Sequence, residues 1–350
     1  MRRAPATLAA IVGAIAMIGV ALVARGKIDH HQTVAKGPLH LVCVPEVAEA
    51  CQSLAGDSVN VAIEGPSTTS ANLTQSTTDV DAWIVPSPWP TIVDSRRRRA
   101  GLAPLFGGPA PVLGRSPIQL VVWNDRAAIL TSHCSRSSGA KNGAAAIDGR
   151  CVGDASGQPW ASIGGSSTWG KVKLGLSDPI LTGTGASLLG ATVRSYFGRT
   201  TLSLADLNND DAFAVWFERL VASAKGRATI DAPLRRMLSQ GPSANDIVAT
   251  TEAEVASILA KNSTKATLIR TIDVGATVTL LLAGPANHVH EITAKQRQAI
   301  VAALRALDWR IDNRAPPDAT ASSPLSLPAT NGLPSDGFLD ALVEQWRVTK

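Results

Sequence analysis

From Gly37 onward, short apolar runs that read as strands alternate with segments whose apolar residues recur at helical spacing. Leu39 to Val44 predicts a buried strand, after which Pro45 opens a helix with Val47, Cys51 and Leu54 on one face. Val59 to Ile63 is a second strand, followed by the polar loop Glu64 to Ser70 and a short helix. Val80 to Val85 is a third, ending in Pro86-Ser87-Pro88-Trp89, and Ile118 to Trp123 is another, running into Asn124-Asp125-Arg126. Alternating strands and helices predict a parallel sheet with right-handed crossovers. Ligands of such sheets gather at the carboxyl ends of the strands, here Pro45-Glu46, Gly65 to Ser70 and Pro86 to Trp89.

A second α/β region follows. Thr131 to Gly170 is rich in Ser and Gly and carries little periodicity. In Lys171 to Arg199, Val172, Leu174 and Leu176 alternate as in a strand, Ser177-Asp178-Pro179 makes a turn, and Leu189, Val193, Tyr196 and Phe197 mark a helix. Thr182-Gly183-Thr184-Gly185 opens that helix, where unpaired N–H groups and the positive dipole end favour an anion or polar ligand. The same residues also suit an ordinary capped turn. Their glycines do not keep the spacing of a dinucleotide-binding fingerprint.

Further on, Phe213, Trp216, Phe217, Leu220 and Val221 share a helix face. Thr251 with Glu254 and Thr293 with Gln296 have the spacing of capping boxes. Val274 to Leu282 reads as a strand returning to the first region, residues 313–334 as a Pro-rich excursion, and Phe338 to Trp346 as a terminal amphipathic helix.

Composition narrows the class. The chain has 350 residues, 45% hydrophobic and 17% charged, enough for a sizeable core in one large or two medium domains. The net charge of +5 comes without basic residues interleaved with aromatics, so no nucleic-acid partner is expected. The run Arg96 to Arg99 reads as a solvated helix end. Arg2 and Arg3 precede an uncharged apolar run from Leu8 to Ala24 that reads as a targeting segment. A retained signal-anchor, with the body outside the membrane, is preferred to cleavage and secretion, because Leu22-Val23-Ala24 is a poor cleavage motif. Cys43, Cys51, Cys134 and Cys151 fit an oxidising compartment, and pairing of sequence neighbours is preferred because each pair closes a short loop.

No G-x-S-x-G elbow, P-loop or H-E-x-x-H helix is present, so the chain is not read as an enzyme, and no cofactor or metal is expected. His288, His290 and Glu291 form the one histidine cluster, a pattern common in solvated loops.

The order of elements resembles the type II periplasmic solute-binding proteins over Gly37 to Trp309. The residues that carry the likeness are Leu39 to Glu46, Asp81 to Ser87, Leu176 to Pro179 and Thr271 to Leu282. A narrower similarity is to the solute-binding portion of actinobacterial proteins that also carry a von Willebrand factor A domain. The chain given ends at Lys350, and that domain is not expected in it.

The resemblance implies a two-lobed α/β fold behind an N-terminal transmembrane or signal helix in residues 1–36. Residues 37–123 and 271–350 would form lobe 1 and residues 124–270 lobe 2, with hinges near Val122 to Asn124 and Thr271 to Asp273. Ligand-facing residues would be Pro45, Glu46, Ser67, Thr68, Thr69, Ser87, Trp89, Asp178, Thr182, Thr184 and Gly185. Two roles are in view: a monomeric extracytoplasmic protein presenting a small polar or anionic solute to a permease or sensor, or an envelope interaction module that has lost solute binding. Glu46 would repel an anion unless paired, Asp178 suits a turn cap, and Trp83 and Trp89 suit a core as well as a stacked ligand.

Overall fold

The computed structural model describes residues 37–75, 80–135, 147–199, 201–224, 232–285, 292–311 and 334–349. The apolar segment Leu8 to Ala24, the His288–Glu291 cluster and residues 313–333 lie outside the described residues. Among the described residues, no helix is long and apolar enough to cross a membrane.

The elements of the first part are β1 (Leu39–Cys43), α1 (Ala48–Gln52), β2 (Val59–Ile63), α2 (Pro66–Leu73), β3 (Ala82–Pro86), α3 (Trp89–Arg99) and β4 (Val112–Trp123). There follow α4 (Asn124–Cys134), α5 (Gly149–Ala155), β5 (Leu174–Gly175), α6 (Gly183–Phe197), α7 (Leu204–Asn208), α8 (Asp211–Ala224) and α9 (Pro233–Gln240). The last are β6 (Ile247–Thr251), α10 (Glu252–Ala260), α11 (Ser263–Ala266), β7 (Ile269–Ala283), α12 (Ala294–Ala306) and α13 (Asp336–Val348).

Among the described residues, seven strands make one sheet in the order β2-β1-β3-β7-β4-β6-β5. The outer groups are parallel as expected, β1 with β2 and β3, and β5 with β6. The sheet as a whole is mixed, because β4 and β7 run antiparallel to each other from Val112↔Leu281 to Trp123↔Ile269. At one end of this pair β7 offers Leu280 to Ala283 to β3, and at the other β4 offers Ile118 to Val122 to β6. The sheet therefore has two halves hung from opposite ends of one long ribbon. The change of partner coincides with a register shift between Pro117 and Gln119 and with Gly275 at φ +72°. Pro117 withholds an N–H from the ladder, and Gly275 takes a conformation that a side chain disfavours. Val122 to Asn124, expected near a hinge, form the end of β4 and the start of α4, and Thr271 to Asp273 lie within β7.

Two strands depart from the sequence reading. β6 was not expected; its IVATT is buried at every position and so shows no alternation. β5 is cut to Leu174–Gly175 because Val172 exchanges backbone bonds with Gly157 and Gln158. The sulfur pairs Cys43–Cys51 and Cys134–Cys151 are formed, tying β1 to α1 and α4 to α5.

One apolar core runs through both halves, and Tyr196, Phe213 and Trp216 pack between α6 and α8 at ring separations of 4.7–5.9 Å. A second cluster under the far face of the second half joins Val121, Trp123 and Val248 to Leu234, Met237, Val255 and Ile258, which seats α9 and α10.

The arginine run is not a solvated helix end. Arg97 is buried and donates to the carbonyls of Leu73, Gln75 and Ala103, while Arg96 and Arg99 both pair with Asp340 of α13. These bonds fix α13, whose Phe338, Leu339, Leu342 and Trp346 are buried against α3, α6 and α7. Asp340→Ala is expected to cost about 1–3 kcal/mol, since it leaves two guanidinium groups without their shared acceptor. Urea unfolding reads this as a lower midpoint at unchanged slope; an unchanged midpoint would mean that the apolar face alone holds α13.

Candidate functional site

The carboxyl end of β1 sets the first side of the site. Val44 is held to Ile84 by a backbone bond of 3.2 Å, and Pro45 starts a single 3-10 turn that places Glu46 in its first turn. The Glu46 carboxylate reaches the start of α6. Its Oε1 accepts from the Thr184 N–H at 2.5 Å and from the Thr184 hydroxyl at 2.7 Å. Among the described residues, Oε2 is buried without a hydrogen-bond partner. Burial pushes the Glu46 pKa up, and the two Thr184 donors pull it part of the way back.

The residues before α6 support this contact from behind. Thr182 caps the helix by accepting from the Gly185 N–H at 3.1 Å and donates to the Asp178 carbonyl at 2.7 Å. Asp178 accepts from the Ile180 N–H at 2.8 Å, so it caps its own turn. Gly183 lets the helix approach β3: a Cβ there would lie 2.5 Å from Cδ of Pro86.

Beside Glu46 a cleft of about 460 Å³ opens between the halves of the sheet. Pro45, Glu46, Glu49 and Gln52 line it from one side, and Arg235, Thr251, Glu254 and Ser257 from the other. Thr182, Leu307 and Trp309 complete the wall. Thr251 caps α10 by accepting from the Glu254 N–H at 3.3 Å. The reciprocal bond that closes a full box at Thr293 and Gln296 is not made by Glu254, whose Oε1 is buried without a hydrogen-bond partner among the described residues. The Glu254 pKa is pushed up to about 7, first by burial; the Thr250 hydroxyl opposes this, the negative charge of Glu46 adds to it and Arg235 offsets part. Glu49, by contrast, pairs with Lys261 at 3.6 Å in an exposed contact across the cleft.

The corner that carries Glu254 is rigidly held. Glu252, its neighbour on α10, forms a buried two-point pair with Arg310 at 2.6 and 2.8 Å, and Arg310 bonds through its backbone to Arg115 of β4. Ser116 accepts from the Ala253 N–H at 2.9 Å. At the other end of β6, buried Asp246 binds Arg126 at 2.8 Å and Lys173 at 3.3 Å.

Of the residues expected to face a ligand, Pro45, Glu46 and Thr182 line the cleft, while Asp178, Thr184 and Gly185 buttress it. Others turn elsewhere. α2 begins at Pro66, so Ser67, Thr68 and Thr69 belong to its first turn rather than to a loop. Thr69 is spent on Glu64 at 3.0 Å, Thr68 is exposed, and Ser67 lies near Arg96 and Asp340. Ser87 belongs to a separate cavity with Asp94, Phe106 and Thr279. Trp89 is only 1% exposed and Trp83 stacks on Phe106 at 6.2 Å, so both are core residues. Sequence reasoning missed Arg235, Glu254, Ser257 and Trp309. For Glu254 there was a signal, an acid at a cap position, but it was assigned to the cap.

No family model matches the chain, and no curated protein matches it. Solved structures do. The apo ferric ion-binding protein A of Pasteurella haemolytica aligns with TM-score 0.51 at 11% identity, over 90% of this chain and 99% of that one. The Atu4243-GABA receptor aligns with TM-score 0.50 at 10% identity, over 89% of this chain and 97% of that one. The fold is that of two-lobed periplasmic binding proteins. The cleft lies between residues of the β2-β1-β3 half of the sheet and residues of the β6-β5 half.

Glu254 gives the site a pH signature. The folded protein holds its proton more tightly than the unfolded chain does, so the native state binds more protons between pH 4.5 and about 7. Stability contributed by this group is therefore present at the acid end of that window and lost as pH rises through it. Glu254→Gln should flatten the decline in urea midpoint across the window; an equal decline in the variant would assign it to another group.

Proposed function

We propose that the protein is an extracytoplasmic solute-binding protein, which captures a small polar solute between its lobes and presents it to a membrane permease or sensor. The observation that carries this reading is the cleft itself: both halves of the sheet contribute polar side chains to it, and among the described residues a buried oxygen of Glu254 there has no hydrogen-bond partner. A buried polar atom without a partner is costly, so such an atom in a cleft is suited to a ligand that completes it. The two aligned proteins are, by their names, a ferric ion binder and a receptor for GABA, which supports capture of a small solute. The two disulfides fit an oxidising compartment outside the cytoplasm.

Membrane attachment through Leu8 to Ala24, with the body outside, belongs to the same proposal, as does a monomeric state. The narrower kinship with actinobacterial proteins bearing a von Willebrand factor A domain rests on the sequence motifs alone. The second role, an interaction module, has one observation in its favour: Glu46 fills the helix start that an anionic solute would use.

Thermal unfolding against oxyanions, sugars, amino acids and amines separates the two. A solute that binds only the folded state adds about 2.7 kcal/mol of stability at a hundredfold excess over Kd. Ser257→Trp, which places a large ring in the cleft, should abolish the rise in Tm while the variant stays folded. A flat response across the library in folded wild-type protein would favour the interaction module.

A further inference from the structure

The charges around the cleft are unevenly satisfied. Among the described residues, three carboxylates line it, from Glu46, Glu49 and Glu254, with one basic residue, Arg235. Glu49 is paired with Lys261, and Glu46 shares one oxygen with both donors of Thr184. Glu254 is different. Among the described residues its Oε1 is buried with no hydrogen-bond partner, the Thr250 hydroxyl and Arg235 only partly offset the effect of its burial, and Arg235, itself exposed, exerts the weakest of these influences. Glu46, on the opposite lobe, lies close enough to act on Glu254 through its charge and also keeps one buried oxygen without a partner. Two lobes thus face each other with like charges and incomplete hydrogen bonding, which a cation between them would satisfy.

Resting on the solute-capture reading, we infer that the cleft takes a small organic cation, whose ammonium group donates to Glu254 under the second negative charge of Glu46. Ile258, Leu307 and Trp309 offer its carbon body an apolar wall. An ammonium carries several N–H donors and suits acceptors contributed by different elements. A bare metal ion suits the cleft less, because it needs three or more ligand atoms at one point. Among the described residues, the one converging group of this kind is His133 with Cys134 and Cys151, and its two sulfurs are joined in a disulfide. An anion is opposed by the field of both glutamates. The favourable anion position, the start of α6, is already taken by Glu46.

The test uses the full chain and probes that differ only in their head group. Isothermal titration is run with butylamine, butane-1,4-diamine, butanoate, butan-1-ol and sulfate, on wild type, Glu254→Gln and Glu46→Gln, with circular dichroism to establish that each is folded. The inference expects an amine to bind the wild type, the other probes to bind more weakly or not at all, and Glu254→Gln to weaken the amine by about tenfold or more. Glu46→Gln should weaken it as well. Equal amine affinity in wild type and folded Glu254→Gln would overturn the assignment. Binding of butanoate, butan-1-ol or sulfate with no amine would overturn the cation reading and leave solute capture standing. No binding of any of these probes also overturns the cation reading, and the broader solute library then decides whether capture falls with it.

Discussion

Glu46 leaves the carboxyl end of β1 and ends against the first turn of α6, where it accepts both donors of Thr184. A helix start carries N–H groups with no partner inside the helix and a partial positive charge, and a carboxylate answers both. The desolvation cost of the half-buried glutamate is met by two short bonds rather than by a counter-ion. The contact needs small neighbours: Gly183 admits Pro86 beside it, and Thr182 and Asp178 hold the turn that aims the helix. An anion receptor that a two-lobed binder might present to solute is therefore satisfied within the chain. The charge so placed also gives the neighbouring cleft its negative character.

The rest of the molecule is arranged around the same division. β4 and β7 are shared by both halves of the sheet, and their pairing breaks at Pro117 and Gly275. Several contacts join the two halves. The Arg310–Glu252 pair is buried and doubly bonded, so removing either partner would strand a charge, whereas the exposed Lys261–Glu49 pair is worth little. α13 adds a third contact, since its apolar face packs against both α3 and α6.

Much of the architecture was legible in the sequence because it depends on local pattern. Val59 to Ile63 was read with its observed bounds, and the pairing of neighbouring cysteines follows from short loops. The cap at Thr182 and the turn at Asp178 likewise follow from residue type. What escaped depends on burial or on distant partners. IVATT is sealed on both faces and lacks the alternation that marks a strand. Arg96 and Arg99 looked like solvated charge because Asp340, their shared acceptor, lies more than two hundred residues away in sequence. Glu254 looked like a capping acid because nothing local tells whether its carboxylate turns back to the cap or outward to a cleft. Ser67 to Thr69 looked like a loop because a helix starting at Pro66 has few apolar residues to show a period.

Hydrogen exchange at the Thr184 amide tests the central contact most directly. If Glu46 occupies the start of α6, that amide exchanges slowly in the wild type and at least about tenfold faster in Glu46→Ala, with distant core amides unchanged. Equal rates in the two proteins would contradict the account, since the N–H would then owe its protection to something other than the carboxylate from the opposite lobe.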